Sequence, residues 1–193
     1  MQGQGGFSRK GPSQAHASYY YSEPHLAVTG HVVARGTRRE VKGTAWLDHE
    51  WSSELLAADA AGWDWLGANL EGGAALMAFR IRARDGTTLW SNAGVRGLPS
   101  PPRSPTGEAE HAVFTPLRRW KSPRTGVEYP VEMEVRVGER TWKLEPILDD
   151  QELDARASTG TLYWEGAVRV RAANGATGRG YLELTGYGER VPF

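Results

Sequence analysis

Val131-Glu-Met-Glu-Val-Arg-Val137 is the cleanest alternation in the chain, with Val131, Met133, Val135 and Val137 on one side and charges on the other. A period of two marks a strand with one buried and one wet face, because successive side chains leave the pleated backbone in opposite directions. Gly138-Glu139 turns the chain back, and Thr141 to Ile147 keeps the alternation through Trp142 and Leu144. Beyond an acidic turn, Asp149-Asp-Gln-Glu-Leu-Asp154, the run Tyr163 to Val170 leads to Asn174-Gly175, and Arg179 to Tyr187 returns as the last hairpin. In the other direction, Ala112 to Leu117 reads as a strand that leads into the loop Trp120 to Pro130, and Leu98 to Gly107, with four prolines, reads as an exposed, flexible loop.

Before that loop, Trp63 to Leu70 turns at Gly72-Gly73 into Ala74 to Ala83, which turns at Asp85-Gly86 into Thr87 to Arg96. Leu26 to Ala34, the turn Arg35-Gly36-Thr37 and Val41 to Leu47 form a first hairpin, with Pro24 expected to break the strand ahead of it. Ser52 to Ala60 reads as the one short helix, with Ser52 or Ser53 as cap. These are about ten short strands joined mainly by tight turns, an all-β antiparallel pattern that must close or stack to remove its edges. An up-and-down barrel fits best; a β-sandwich is the alternative, since turn spacing does not separate the two. Residues 18–193 make one such domain, while residues 1–17 show no period and are expected to be a flexible N-terminal segment or a linker.

At 193 residues one core suffices. Lys plus Arg equals Asp plus Glu at 23 each, so no net field gathers nucleic acid, and no apolar run approaches the ~20 residues of a spanning helix. Without cysteine the chain has no disulfide, thiolate metal site or thiol nucleophile, and His16, His25, His31, His49 and His111 are too scattered to suggest a metal site. No signal peptide or membrane-contact motif is visible, and the familiar nucleophile-elbow, phosphate-loop and zinc-protease motifs are absent, so acyl transfer, nucleotide chemistry and zinc hydrolysis lose their usual support.

Trp46, Asp48, His49, Glu50, Trp51, Trp63, Asp64 and Trp65 stand within about 20 residues, which is more indole and carboxylate than strand packing requires. Asp48 and Glu50 read either as surface charges paired with a neighbouring Arg or as part of a pocket wall into which His49 and Trp51, two apart, look together. Asp64 faces away from its flanking indoles. It is therefore either solvated, or buried in an apolar wall where a raised pKa suits a general acid. Trp164 and Tyr187 extend the aromatic set, and Glu165 reads as a structural acceptor between strands.

The chain resembles the AttH and CrtC family of lipocalin-like proteins, whose members include carotenoid 1,2-hydratases (hydroxyneurosporene synthases). The matching motifs are Gly6-Phe-Ser-Arg-Lys-Gly11 leading to Tyr20-Tyr-Ser22, Gly43-Thr-Ala-Trp-Leu-Asp-His-Glu-Trp51, Gly62-Trp-Asp-Trp65, Trp120-Lys-Ser-Pro123 with Tyr129-Pro130, Asp150-Gln-Glu152, Tyr163-Trp-Glu-Gly166 and Gly180-Tyr-Leu-Glu-Leu-Thr-Gly-Tyr187. The resemblance implies a lipocalin-like barrel, the second of two in tandem, whose partner would be a missing N-terminal lipocalin-like domain. It also implies a pocket for a hydrophobic, isoprenoid-type ligand and acid-catalysed addition of water to a C=C bond, a hydro-lyase reaction run in the hydration direction that needs neither metal nor organic cofactor.

In that reading His49 and Trp51 match a His-x-Trp pair of the hydratases, Asp64 or Asp48 supplies the acid, and Trp46, Trp51, Trp63, Trp65, Glu50, Trp164 and Tyr187 bind ligand. Glu50, where hydratases tend to carry an amide, is similar to the AttH branch. That branch implies the alternative: a non-catalytic lipid- or isoprenoid-binding or cell-envelope protein associated with an export system.

Overall fold

The computed structural model describes residues 1–52, 56–98, 110–188 and 191. Its strands in chain order are β1 (Phe7–Arg9), β2 (Ala17–Ala34), β3 (Thr37–Trp51), β4 (Gly62–Leu70), β5 (Ala75–Arg82), β6 (Thr88–Arg96), β7 (Ala112–Lys121), β8 (Glu128–Val137), β9 (Arg140–Pro146), β10 (Glu152–Ala155), β11 (Thr161–Ala172) and β12 (Thr177–Thr185). The alternating stretch lies in β8, with Val131, Met133 and Val135 fully buried and Val137 nearly so.

Strands β4 to β12 form one antiparallel sheet in the order β6-β5-β4-β12-β11-β9-β8-β7. β9 and β10 lie end to end along β11, pairing with its later and earlier residues respectively. The sheet curls until β7 meets β5 and β6, where Ala93 bridges to Glu110. Trp142, Trp164, Tyr129, Met133, Leu66, Leu144 and Leu182 fill the interior of this barrel. A barrel of about eight strands is just wide enough for side chains to pack it, and indoles consume that width.

Two motifs hold this wall together. Glu152 accepts hydrogen bonds from Ser122 Oγ (2.6 Å), Thr125 Oγ1 (2.6 Å) and Tyr129 Oη (3.0 Å), which ties the β7–β8 turn to β10. Gln151 Nε2 donates to the carbonyls of Leu148 (2.9 Å) and Ala167 (3.1 Å), and its Oε1 accepts from Ala167 N (2.8 Å). The Gln151 amide lies where a Cβ on Gly166 would be, 2.1 Å from the Gln151 Cδ. Gly166→Ala is therefore expected to displace that amide and cost about 1–3 kcal/mol; an unchanged urea midpoint would show that the bridge matters little.

The other sheet, β1-β2-β3, is dominated by a long hairpin that turns at Arg35-Gly36, both with positive φ (50° and 74°), the geometry of a two-residue hairpin turn. Pro24 does not end the strand. The register slips between Glu23 and Leu26, His25 takes φ 58°, and its Nε2 lies 2.8 Å from Ala74 O, so a bulge accommodates the proline while pairing resumes beyond it. The base of the hairpin packs on the outer face of β4 and β5, whereas most of residues 26–45 are exposed.

Three local expectations change. Within residues 1–17, expected to be mobile, β1 pairs with β2 from Phe7↔Tyr19 to Arg9↔Ala17, and Gln2 N donates to Tyr20 O at 3.0 Å. Three residues in a glycine-rich segment are too short to show a period. The helix expected over Ser52 to Ala60 falls partly outside the described residues, and residues 56–60 form bends and turns; among the described residues the helical turn is a 3-10 turn, Glu71–Gly73. The loop expected over Trp120 to Pro130 is shorter, since β7 continues to Lys121 and β8 begins at Glu128; the loop expected over Leu98 to Gly107 lies almost wholly outside the described residues.

Candidate functional site

Strand β5 is buried along all eight residues, because the barrel interior covers one face and the second sheet covers the other. On its outer side Met77, Phe79 and Ile81 join Tyr20 and Ala60 in a separate apolar cluster, against which Trp46, Leu56, Trp63 and Trp65 pack. Trp46 and Trp65 meet edge to face at 6.1 Å, over Gly67, where a Cβ would lie 2.4 Å from the Trp65 ring. This cluster lines a cavity of about 260 Å³.

Tyr20, Trp63, Trp65, Phe79, Leu56 and Ile81 form its apolar wall; Lys10, Asp48, Glu50 and Glu183 supply its charge. Asp48 is an acceptor of Tyr20 Oη (2.8 Å), Trp46 Nε1 (2.8 Å) and Ser22 Oγ. Trp65 Nε1 in turn donates to Tyr20 Oη (2.9 Å), and burial followed by the Asp48 charge raises the Tyr20 phenol far above its ordinary range, so it stays a donor. Lys10 Nζ lies 2.6 Å from Glu50, 4.1 Å from the Phe79 ring centre and 4.8 Å from that of Tyr20.

Glu183 stands on the wall of this cavity with a raised proton affinity. Trp63 Nε1 donates to its Oε1 at 3.1 Å. Burial, then the charge of Glu165 directly across on β11, push its carboxyl up from 4.5 to about 7. Cross-strand register sets Glu165, Glu183, Trp65 and Phe79 in one row along the outer wall, so the Glu183 carboxyl stands beside an indole and a phenyl ring. Like charges directly opposite repel, which favours one proton on the pair near neutral pH.

The residues picked out in the sequence divide among three places. Asp48, Glu50, Trp63 and Trp65 line the cavity and Trp46 flanks it. His49 and Trp51 lie on the opposite face of the hairpin, away from the cavity, in an exposed aromatic row: Tyr19 stacks on Trp51 at 5.6 Å, Trp51 meets His49 at 4.9 Å, and His49 Nδ1 lies 3.2 Å from Tyr21 Oη. Asp64, Trp164 and Tyr187 belong to the barrel interior.

Asp64 has no exposed surface; its Oδ2 lies 2.6 Å from Arg80 Nε, its Oδ1 lies 2.9 Å from Arg82 Nε, and Tyr187 Oη donates to Oδ1 at 2.9 Å. A carboxylate saturated by two guanidiniums is not placed to give up a proton to a ligand. Trp164 Nε1 donates to Asp149 O at 2.7 Å, which is a packing role.

Lys10, Tyr20, Phe79 and Glu183 escaped the sequence reading. The unbroken apolar run Ala74-Ala-Leu-Met-Ala-Phe79 was the available signal, because a strand covered on both faces loses its alternation. Among the described residues there is no group of three or more His, Asp or Glu able to hold a metal ion, and no helix long and apolar enough to cross a membrane.

A family model described as AttH-like matches residues 1–187. The crystal structure of a putative AttH from Nitrosomonas europaea is similar at 50% identity and TM-score 0.86, covering 97% of this chain and 58% of that one. Kievitone hydratase from Nectria haematococca aligns at 19% identity and TM-score 0.70, over 93% of this chain and 55% of its own. CghA in complex with Sch210972 aligns at 13% and 0.52, over 88% and 55%. At these two lower identities the likeness concerns the fold. No curated protein sequence matches. The chain thus spans somewhat more than half the length of each of these three structures.

Proposed function

The chain belongs to the AttH-like family, and from that premise we propose that the cavity outside the barrel wall takes the end of a hydrophobic, isoprenoid-type ligand and adds water to its C=C bond. The observation that carries this reading is Glu183, a carboxyl held protonated to about pH 7 beside Trp63, Trp65 and Phe79. It replaces Asp64 and Asp48 as the acid, since both are committed as acceptors.

Glu183 gives its proton to the less substituted alkene carbon. The tertiary cation that results is attracted by the faces of the neighbouring rings, and the two carboxylates Asp48 and Glu50 outweigh the single ammonium of Lys10. Water then adds, and its surplus proton returns to Glu183, closing the cycle. At about 260 Å³ the cavity falls below the roughly 300–1,000 Å³ of most small-molecule pockets, which suits a branched terminus better than a whole carotenoid. The test is native mass spectrometry after incubation with branched alkenes of one to three isoprene units. The wild type should yield ligand heavier by one water and Glu183→Gln should not; equal hydration by both would remove Glu183 from the mechanism.

The filled barrel interior and the exposed hairpin favour a second reading, in which the domain is a non-catalytic carrier. Leu26, Val28, Val32, Val33, Tyr19 and Trp51 all stand 38% or more exposed, a surface suited to a further lipocalin-like domain. Binding without a mass change in the same experiment would support it.

A further inference from the structure

The chain has four lysines, and their surroundings differ sharply. Lys42 and Lys121 are exposed, and Lys143 is an outer-wall cation paired with Glu132 and Glu145. Lys10 is 6% exposed and lines the cavity. Its amine is held by an acidic partner, Glu50, and lies over two aromatic rings, with Glu183 also on the cavity wall. A desolvated lysine in an apolar pocket is the environment that turns an ammonium into a nucleophile.

We propose that Lys10 is a covalent docking point for a hydrophobic aldehyde, which it binds as an imine inside this cavity. The proton on Lys10 passes to Glu50, and the free amine attacks the aldehyde carbon, forming a C–N bond. The resulting carbinolamine loses its hydroxyl as water after protonation by Glu183, leaving a protonated C=N bond, and Glu50 restores the proton of Glu183. The net change is ammonium plus aldehyde to iminium plus water. Glu50 and Asp48 remain as counter-charges to the iminium, and Phe79 and Tyr20 flank it as they flank the ammonium. Burial, its largest influence, lowers the Lys10 pKa despite the Glu50 and Asp48 charges, so the amine is more available than on the exposed lysines. None of this depends on hydration of an alkene.

The test treats the folded chain with citral, a short branched enal, at limiting concentration with sodium cyanoborohydride, which traps imines as secondary amines, followed by peptide mass mapping. Lys10 should be the dominant labelled lysine, with the label lost from that site in Lys10→Arg, and the preference should vanish when the wild type is labelled in urea. Labelling of Lys42, Lys121 and Lys143 equal to or above that of Lys10 in the folded protein overturns the proposal. The same holds if the preference survives unfolding. Because the wild type carries its own reference lysines, the result stands even if Lys10→Arg folds poorly.

Discussion

Asp64→Asn destabilises this domain by about 3–5 kcal/mol, the usual consequence of removing one member of a buried ion cluster and leaving the other uncompensated. Arg80 and Arg82 are 8% and 4% exposed, and both direct Nε at Asp64. Arg82 also lies over Tyr187 at 3.9 Å and donates to Thr185 O, while Arg80 donates to Phe114 O at 3.3 Å, so neither guanidinium can swing out to water without dismantling its neighbours. Against the 5–15 kcal/mol of a typical domain this is a large fraction of the whole. Urea denaturation of the purified variant checks it, and a midpoint within error of the wild type would show that the arginines find other partners. Any activity lost by this variant should accompany lost structure, which separates a residue that holds the wall together from one that does chemistry.

Glu183→Gln should behave in the opposite way, removing activity while raising stability. The glutamine keeps the shape and an oxygen for the Trp63 indole but has no transferable proton, so hydration should fall by about 10²–10⁴-fold, the contribution of a positioned general acid. The folded carboxyl titrates at about 7 against 4.5 for the unconstrained group, so between these values the folded state holds a proton that the unfolded state has released. Stability of the wild type therefore declines as pH rises through this window and stays at the reduced level above it. Two and a half pKa units correspond to about 3 kcal/mol. Glu183→Gln should thus exceed the wild type by up to that amount at pH 8 and match it at pH 4. Melting curves at the two pH values decide the matter: an advantage independent of pH would mean that the glutamine packs better, with no charge penalty relieved. Glu165→Gln, which removes the opposing carboxylate, should recover part of the same gain.

Much of the framework was legible without coordinates. The period-two runs around Val131 and Trp142 identified strands, turn residues placed the hairpins, and the need to remove edges required the sheet to close or stack, with a barrel the better fit and a sandwich left open. The same periodicity said that Asp64 must face away from Trp63 and Trp65, and that His49 and Trp51 must share a side. It could not say what covers each side. Which face meets solvent depends on the pairing of β12 with β4, more than 100 residues apart, and on a second sheet laid against the outer wall. That layer makes Glu183, in a strand whose outward positions read as wet, a half-buried acid, and draws Lys10 out of a glycine-rich segment into the same cavity. It also parts neighbours, sending Asp48 and Glu50 inward while His49 and Trp51 face outward. Local sequence determined the strands and the opposition of their faces, because backbone geometry alone dictates that alternation. Tertiary structure decided which face became the candidate site, because burial, and with it the proton affinity of a carboxyl group, is a property of what packs on top.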